Sequence, residues 1–320
     1  MSLAGKRILL IGTNAKAKQV ADLLLTGCAH CELQGCLRVL ENEPMAVDAD
    51  LCMGMYADLE QMVECLAVDT LFFVDNSVQL PEILSLLSKA QYKHLSILGL
   101  VDTELQPIAG LPVHECCGLS YVCLSEHPMP LWQRIVKRAF DILFSLSALL
   151  CILPLLCVLC SLIGKSPIYT QERVGRRGKR FKIYKLRTMC LDAEKKGPQL
   201  SSQNDERITV IGRVLRKYRI DEFPQLFNVL KGDMSLIGPR PERWFYIKQL
   251  AQINPAFFLL LTIRPGITSL GMVKYGYASN VEMMLDRMNY EQYYYQHMTL
   301  RTELKILCAT VTTILQGRGV

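Results

Sequence analysis

Two adjacent carboxylates, Asp221 and Glu222, stand among cations in the segment Arg216-Lys217-Tyr218-Arg219-Ile220-Asp221-Glu222-Phe223-Pro224-Gln225. Neighbouring acids repel, so keeping both ionised requires nearby positive charge or a metal ion. Mg²⁺ usually binds through one or two carboxylates together with substrate phosphates, and a carboxylate can itself attack phosphorus. The pair therefore indicates phosphate chemistry. The alternative is a helix start, which Asp, Glu and Pro all favour, with a short helix running from Pro224 to Lys231 and ending at Gly232.

A second cation lies in a stiff setting downstream, in Gly238-Pro239-Arg240-Pro241-Glu242. Each proline fixes its φ angle, so the chain around Arg240 has little freedom. A stiffly held arginine loses less entropy when it grips a phosphate with two hydrogen bonds. The sequence leaves a rigid surface turn open as the other interpretation.

An apolar segment over residues 139–163 precedes these motifs and contains one charge, Asp141. Its length suffices to cross a hydrocarbon core of about 30 Å. Pro154 lies within it and is expected to kink a helix. Basic residues flank both ends, which the positive-inside rule places on the cytoplasmic face: Arg134, Lys137 and Arg138 before it, and Lys165, Arg173, Arg176 and Arg177 after it. A re-entrant helix satisfies both observations, and a single span is the alternative.

These residues bring the chain close to a known family. The span from Asp221 to Arg243, which reads DEFPQLFNVLKGDMSLIGPRPER, closely resembles the signature of bacterial sugar transferases, the monotopic phosphoglycosyl transferases. Further matching segments are KRAFD from Lys137, SPIYTQERVG from Ser166, FKIYKLRTM from Phe181, RPGIT from Arg264 and LRTELKIL from Leu300. The resemblance covers about residues 134–316, in order, although the family usually has Asp where Glu303 stands.

The resemblance implies an activity and a set of site residues. The family moves a sugar 1-phosphate from a UDP-sugar to undecaprenyl phosphate and releases UMP, which starts capsule, exopolysaccharide or O-antigen synthesis. By this resemblance Asp221 attacks the β-phosphorus, and Glu222, with Asp221, holds Mg²⁺. The residues expected to bind substrate phosphates are Arg216, Arg240, Lys185 and Arg187. The expected location is the cytoplasmic face of the inner membrane, among its lipids.

The amino-terminal part alternates strand and helix patterns, which predicts a parallel, doubly wound sheet. Predicted strands cover 7–12, 33–39, 70–74 and 95–100, and predicted helices cover 15–25, 59–66 and 81–90. The turn Gly12-Thr13-Asn14-Ala15 lacks the second and third glycines of a dinucleotide fingerprint. The module resembles the Rossmann-like domain that precedes the catalytic part in larger family members, and we expect a regulatory or oligomerising role, with homo-oligomers among the partners.

The predicted fold is α/β: a Rossmann-like domain over residues 1–125, a linker at 126–133, a re-entrant membrane helix at 134–165 and a mainly α-helical catalytic domain at 166–320. Within the last of these, 181–186 reads as a strand, and 283–295 and 303–315 as helices. Residues 244–246 and 257–261 suit either a membrane interface or a core.

Composition narrows the function classes. A mean hydropathy of +0.19 and a net charge of +6 fit a membrane surface or anionic substrates, and no nucleic-acid recognition motif is present. Thirteen scattered cysteines indicate a reducing compartment. Cys28, Cys31, Cys36 and His30 suggest zinc only weakly, because no second pair follows at finger spacing. A nucleotide-sugar oxidoreductase or epimerase that uses the amino-terminal fold is one alternative function, and an inactive membrane scaffold is another.

Overall fold

The computed structural model describes residues 3, 5–27, 31–42, 44–74, 78–89, 92, 94–101, 111–193 and 205–317. The chain divides into two compact units, Met1–Glu126 and His127–Val320. Each unit has its own secondary structure, and the acidic pair belongs to the second.

The first unit is a seven-stranded sheet with helices between the strands of its parallel part. Its elements are β1 (Arg7–Ile11), α1 (Ala15–Gly27), β2 (Glu32–Arg38), β3 (Cys52–Met55), α2 (Leu59–Cys65), β4 (Thr70–Phe73), α3 (Leu80–Leu86), β5 (Ser96–Leu100), β6 (Val113–Cys116) and β7 (Leu119–Cys123). The strand order is β3-β2-β1-β4-β5-β7-β6, with β1 to β5 parallel and β6 and β7 antiparallel.

The prediction of a parallel sheet is confirmed, and the predicted strands and helices lie within a few residues of the observed ones. β1 and β4 are buried almost throughout, which explains their continuous apolar sequences. The sequence did not predict β3 or the β6–β7 hairpin. At the end of β1, Gly12 has a φ of 128° and the Asn14 side chain accepts from Ala17 N, so this turn caps α1.

The described part of the first unit does not support a zinc site at Cys28, His30, Cys31 and Cys36. Cys28 and His30 lie outside the described residues. The Cys31 thiol donates to Leu24 O and the Cys36 thiol to Leu51 O, and the described residues contain no cluster of three or more His, Cys, Asp or Glu that could hold a metal ion.

The described part of the second unit combines one long apolar helix with shorter helices, two pairs of strands and an isolated bridge between Met189 and Ile208. Its elements are α4 (Leu131–Ile163), β8 (Ile168–Val174), β9 (Arg180–Leu186), α5 (Val210–Lys217), α6 (Leu226–Lys231), β10 (Ser235–Ile237), α7 (Trp244–Ile253), α8 (Phe257–Leu260), β11 (Gly266–Thr268), α9 (Leu270–Lys274), α10 (Val281–Gln296) and α11 (Leu300–Leu315). β8 and β9 form an antiparallel hairpin, and β10 pairs in parallel with β11.

The long helix α4 is long and apolar enough to cross a membrane. Its apolar side chains are mostly exposed, among them Leu143, Leu150 and Leu162. α4 is one element that contains Pro154. The re-entrant path that Pro154 was expected to enforce stays a prediction.

Asp141, the charge inside the apolar segment, faces the folded unit. Its carboxylate accepts from Ser235 Oγ at 2.8 Å and from Leu236 N at 3.2 Å, and it is 2% exposed. A buried carboxylate needs such donors, because an unpaired one is costly. The first turns of α4 are therefore packed into the folded core of the second unit.

Two interpretations left open by the sequence are resolved by burial. Phe257–Leu260 are all buried, so this helix belongs to the core rather than to a membrane interface. In α7, Phe245 is exposed, whereas Tyr246, Ile247 and Leu250 are buried.

Candidate active site

The acidic pair lies in a tight 3-10 turn, Ile220–Gln225, and not at the start of an α-helix. The helix predicted from Pro224 begins at Leu226 and ends, as predicted, at Gly232, whose φ is 89°. Arg219 precedes the turn in the left-handed conformation with a φ of 54°, which a non-glycine residue adopts at some cost. The turn buries both carboxylates to 7% exposure at the wall of a cavity.

Glu222 is surrounded by cations from three segments. Its Oε1 lies 2.7 Å from Lys185 Nζ and 3.7 Å from Arg240 NH1, and its Oε2 lies 3.2 Å from Arg219 NH1. Burial opposes ionisation of Glu222, but Lys185, Arg219 and Arg240 together outweigh it and hold its pKa well below the usual range. Glu222 is therefore an ionised counter-ion that gathers these three cations.

Asp221 has a different environment, although it is the next residue. Among the described residues its carboxylate has no hydrogen bond or ion pair, and it lines the cavity. Burial raises the pKa of Asp221, Lys185 opposes the shift, and the charge of Glu222 adds to it. A carboxylate with a raised pKa and no fixed partner is more basic and more available for attack than Glu222.

The cavity in front of the pair has a volume of about 230 Å³ and a strongly positive lining. Among the described residues that line it, cations outnumber the two carboxylates four to one, and they are Arg173, Lys185, Arg187, Arg207, Arg216, Arg219, Arg240 and Arg243. Such an excess of positive charge suits a multiply charged anion such as a diphosphate. Tyr169, Tyr246 and Tyr277 add aromatic surface to the same wall.

All six residues that the sequence predicted for catalysis and phosphate binding line this cavity. Arg216 is oriented by a hydrogen bond from its Nε to Thr188 Oγ1 at 2.8 Å. Arg187 donates from Nε to Ser166 O at 2.7 Å, and its guanidinium lies 5.8 Å from the Tyr169 ring centroid. Both side chains are thus positioned by protein contacts and keep other donors for a ligand.

The loop that carries Arg240 owes its shape to a close approach of two backbones. A Cβ on Gly238 would lie 2.3 Å from Arg264 O, so no side chain fits there. Gly238 N donates to Thr268 O, and Gly266 N donates to Pro239 O. The two motifs, GPRP and RPGIT, therefore fold against each other and fix the position of Arg240.

Sequence reasoning did not select Arg173 or Arg219 as site residues. Arg173 stands in a segment that carried the family resemblance, and Arg219 stands two residues before the matching span that begins at Asp221. Arg173 is held by Pro241 O at 3.1 Å, Glu242 Oε2 at 3.3 Å and Gln171 Oε1 at 2.6 Å. Its position depends on a tertiary contact that no local pattern reveals.

Behind Arg173 lies a buried network of alternating charges. Glu242 accepts from Arg173 and, through its other oxygen, from Arg287 NH2 at 2.6 Å. Glu291 accepts from Ser269 Oγ at 2.5 Å, and burial raises its pKa to about 7. Glu242 and Arg287 thus act as a rigid support for a cation of the cavity.

The bacterial sugar transferase family model matches residues 132–317. A UDP-N-acetylgalactosamine-undecaprenyl-phosphate N-acetylgalactosaminephosphotransferase from Aeromonas hydrophila is 39% identical over 196 residues, which cover 60% of this chain and 46% of that protein. A UDP-glucose:undecaprenyl-phosphate glucose-1-phosphate transferase from Escherichia coli is 32% identical over 222 residues, covering 68% and 48%. The chain spans about half the length of these two relatives.

A shorter relative is more similar over less of the chain. A putative undecaprenyl-phosphate N-acetylgalactosaminyl 1-phosphate transferase from Bacillus subtilis is 52% identical over 126 residues, which cover 38% of this chain and 70% of that protein.

Proposed function

The chain belongs to the bacterial sugar transferase family, and we propose that it transfers a sugar 1-phosphate from a UDP-sugar to undecaprenyl phosphate with release of UMP. The names of its relatives support both the carrier lipid and the class of transferred group. The observation that carries the proposal is the contrast between Asp221 and Glu222 at the wall of a cation-lined cavity. The Glu222 carboxylate contacts three cations, Lys185, Arg219 and Arg240, whereas the Asp221 carboxylate has no such partner among the described residues and can react.

In the first step an Asp221 oxygen attacks the β-phosphorus of the UDP-sugar. A bond forms between that oxygen and phosphorus, the bond from phosphorus to the bridging oxygen breaks, and UMP leaves with the electron pair. In the second step an oxygen of the lipid phosphate attacks the same phosphorus, and the Asp221 carboxylate is released. The first displacement needs the Asp221 carboxylate ionised, and in the second the carboxylate leaves as the anion; the neighbouring cations Lys185 and Arg216 favour that anion in both steps.

The cations of the cavity have separate tasks in this mechanism. Lys185 and Arg240 lie against Glu222 and present their remaining donors to the diphosphate. Arg216, on α5, and Arg187, just after β9, are fixed by Thr188 and Ser166 and clamp phosphate oxygens. Fixed cations stabilise the charge that spreads over the transferred phosphoryl group.

The donor set of Asp221 and Glu222 fits Mg²⁺, because this ion commonly takes one or two carboxylates and completes its shell with water and substrate phosphates. When bound, Mg²⁺ would offset the charge of the diphosphate. Both Glu222 oxygens already contact cations, so Asp221 is the carboxylate with the freer oxygens. Glu222 has a second role in this proposal, which is to hold Lys185, Arg219 and Arg240 at the cavity wall.

Both ends of α4 join the same folded unit, which supports a path that enters and leaves the membrane on one side. At the first end, Lys137 Nζ donates to Ile237 O and Arg138 NH2 to Val229 O. At the second end, Arg187 N donates to Pro167 O, and Arg187 stands one residue beyond β9, the strand of Lys185. A helix that crossed the bilayer would place these two ends on opposite faces. We therefore propose a monotopic protein on the cytoplasmic face of the inner membrane.

Release of UMP from a panel of UDP-sugars, with undecaprenyl phosphate in detergent or nanodiscs, tests the proposal. We expect one or a few sugars to give turnover that requires the lipid phosphate. Absence of UMP release from every UDP-sugar would exclude the activity. Reconstitution with the carrier lipid omitted is the control, because the covalent step alone releases at most one UMP per enzyme.

A further inference from the structure

A second, smaller cavity lies at the foot of α4, within the same unit. Its volume is about 30 Å³, and the two cavities share none of their described lining residues. Five cations face it: Arg134, Lys137, Arg138, Arg176 and Arg264. We call it the helix-foot cavity. One acidic side chain, Asp141, is part of its described lining.

The cations of the helix-foot cavity are anchored mainly by main-chain carbonyls. Arg138 NH2 donates to Val229 O at 2.8 Å, Arg176 Nε to Thr262 O at 2.9 Å, and Arg264 Nε to Gly232 O at 3.1 Å. A carbonyl fixes a guanidinium in place without neutralising it, and a guanidinium has five N–H donors. The remaining donors and the full charge stay available.

The nearby carboxylates are already engaged. Asp141 accepts from Ser235 and Leu236, and Glu303 pairs with Lys137 and accepts from the Tyr294 hydroxyl. The Arg134 guanidinium has no hydrogen bond or ion pair with any residue in the described ranges. Several of these cations are left facing one another across the cavity.

Burial and repulsion from neighbouring cations lower the pKa values of two groups that line the cavity, Arg176 and His127. Burial, followed by the charges of Arg177, Arg264 and Arg134, lowers the pKa of Arg176 to about 10. Burial, followed by Arg134 and Arg176, lowers the pKa of His127 to about 3, so this ring adds no charge. A bound anion would relieve the repulsion among the arginines.

The helix-foot cavity lies where the apolar surface of α4 begins. Leu131, Trp132, Ile135 and Val136 flank Arg134 on the same turns and are 47–66% exposed. Tryptophan and basic side chains together mark the headgroup level of a membrane. An anion that enters this cavity from the bilayer would keep its acyl chains against that exposed apolar surface.

We infer that the helix-foot cavity binds the phosphate of an anionic phospholipid headgroup. The space admits two or three water molecules, about the room that one phosphate group takes. Arg134 and Arg176 approach it from α4 and from the turn after β8, so the lipid joins two segments of the unit. This site would hold the enzyme at a defined depth and orientation, and it does not depend on the proposed transfer reaction.

The test uses the full chain in a neutral detergent and dihexanoyl phosphatidylglycerol, below its micelle-forming concentration, as the probe. We expect saturable binding that Arg134→Gln weakens about tenfold, as loss of a charge-assisted hydrogen bond predicts. Arg176→Gln, on the opposite segment, should weaken it to a similar degree. Arg180→Gln is the matched control, since Arg180 is a 59% exposed cation paired with Glu172 and should leave binding unchanged.

Competition distinguishes the sources of the phosphate. Inorganic phosphate and dihexanoyl phosphatidylcholine should displace the probe only at much higher concentrations than unlabelled dihexanoyl phosphatidylglycerol does. Geranyl phosphate should not displace it at a lower concentration than unlabelled dihexanoyl phosphatidylglycerol does. The inference is overturned by absent binding in the wild type, by wild-type affinity in both cavity variants, or by an equal loss in Arg180→Gln. It is also overturned if inorganic phosphate binds as tightly as the lipid, or if the prenyl phosphate binds more tightly, which would mark an acceptor site.

Discussion

The two cation-lined cavities of the second unit differ in what holds their cations. In the catalytic cavity, Lys185, Arg219 and Arg240 are drawn together by Glu222. In the helix-foot cavity, Arg176 and Arg264 are held by main-chain carbonyls. An ionised carboxylate inside a cation cluster offsets the repulsion among the cations, so the cluster is stable without a bound anion. The cluster therefore binds an anionic product less tightly and can release it. Carbonyl anchoring leaves a net charge that favours a retained anion.

The largest expected effect tests the free carboxylate of this comparison. Asp221→Asn keeps the shape of the side chain and removes the nucleophile, so turnover should fall by about 10³-fold or more. The phosphosugar adduct formed from UDP-sugar alone should disappear from the intact mass. Asp233→Asn is the control, because within the described ranges the Asp233 carboxylate pairs with the exposed Lys231 alone, at 3.5 Å. An unchanged adduct in Asp221→Asn would refute the assignment.

The next effect concerns the carboxylate that gathers the cations. Glu222→Gln should reduce turnover about 10²-fold, because three cations lose their counter-ion and an amide is a poor Mg²⁺ ligand. It should also change the Mg²⁺ dependence, measured as UMP release against metal concentration. Full wild-type activity in excess EDTA would contradict a metal-assisted mechanism.

The pH dependence sharpens the contrast between the neighbours. The folded pKa of Asp221 is raised, and its ionised form is the reactive one, so activity should be lost as pH falls through a value above the ordinary aspartate range. In Glu222→Gln a negative neighbour is absent, and the acidic limb of the profile should move to lower pH. A limb that stays in place would show that it belongs to another group.

A smaller effect is expected behind the catalytic cavity. Burial raises the pKa of Glu291 from its ordinary 4.5 to about 7. The stability that its protonated form contributes is complete below pH 4.5 and is lost as pH rises to about 7. Glu291→Gln should therefore stabilise the protein above pH 7 by about 1–3 kcal/mol and flatten its pH dependence. Thermal unfolding of both proteins at pH 5 and pH 8.5 measures this, and an equal change at both values would count against it.

The smallest difference is expected between the two ends of α4. Cysteines at positions 133 and 166, in a background without other reactive thiols, should react alike with a membrane-impermeant reagent, because the proposed monotopic path puts Gln133 and Ser166 on one face. Opposite reactivity would establish a span. Pro154→Leu removes the predicted kink, and we expect a mixed topology with reduced activity, since the basic residues that follow resist translocation. Wild-type topology and activity in this variant would exclude proline as the determinant.

The sequence predicted the first unit well because its strands are local apolar runs between helical patterns. It missed β3 and β6, whose residues are exposed or half-buried, and β7, a short strand that is mostly buried; none of the three has a long apolar run. It offered a helix start as one interpretation of the acidic pair, whereas the left-handed Arg219 turns the chain into a 3-10 segment first. That conformation is supported by tertiary contacts, which local propensity does not encode.

The candidate site was predicted as a set of residues but not as an environment. Adjacent acids look equivalent in a sequence, and the difference between Asp221 and Glu222 arises from Lys185, which comes from a strand 37 positions earlier. Arg173 was missed for the same reason, since its role depends on Glu242, 69 positions later. Ion pairs of this range are set by the fold.

The buried carboxylate of Asp141 has a consequence for the synthesis of the chain. Its hydrogen-bond donors, Ser235 and Leu236, follow 94 and 95 positions later. At about 5–20 residues per second, the ribosome needs about 5–20 s to add them after Asp141. During that interval the apolar helix has been synthesised, but the Asp141 carboxylate at its start does not yet have its donors Ser235 and Leu236. The order of translation therefore separates synthesis of α4 from its docking on the core. A cluster of slow codons between the codons for Asp141 and Ser235 would lengthen the interval in which α4 can adopt either a re-entrant or a spanning topology.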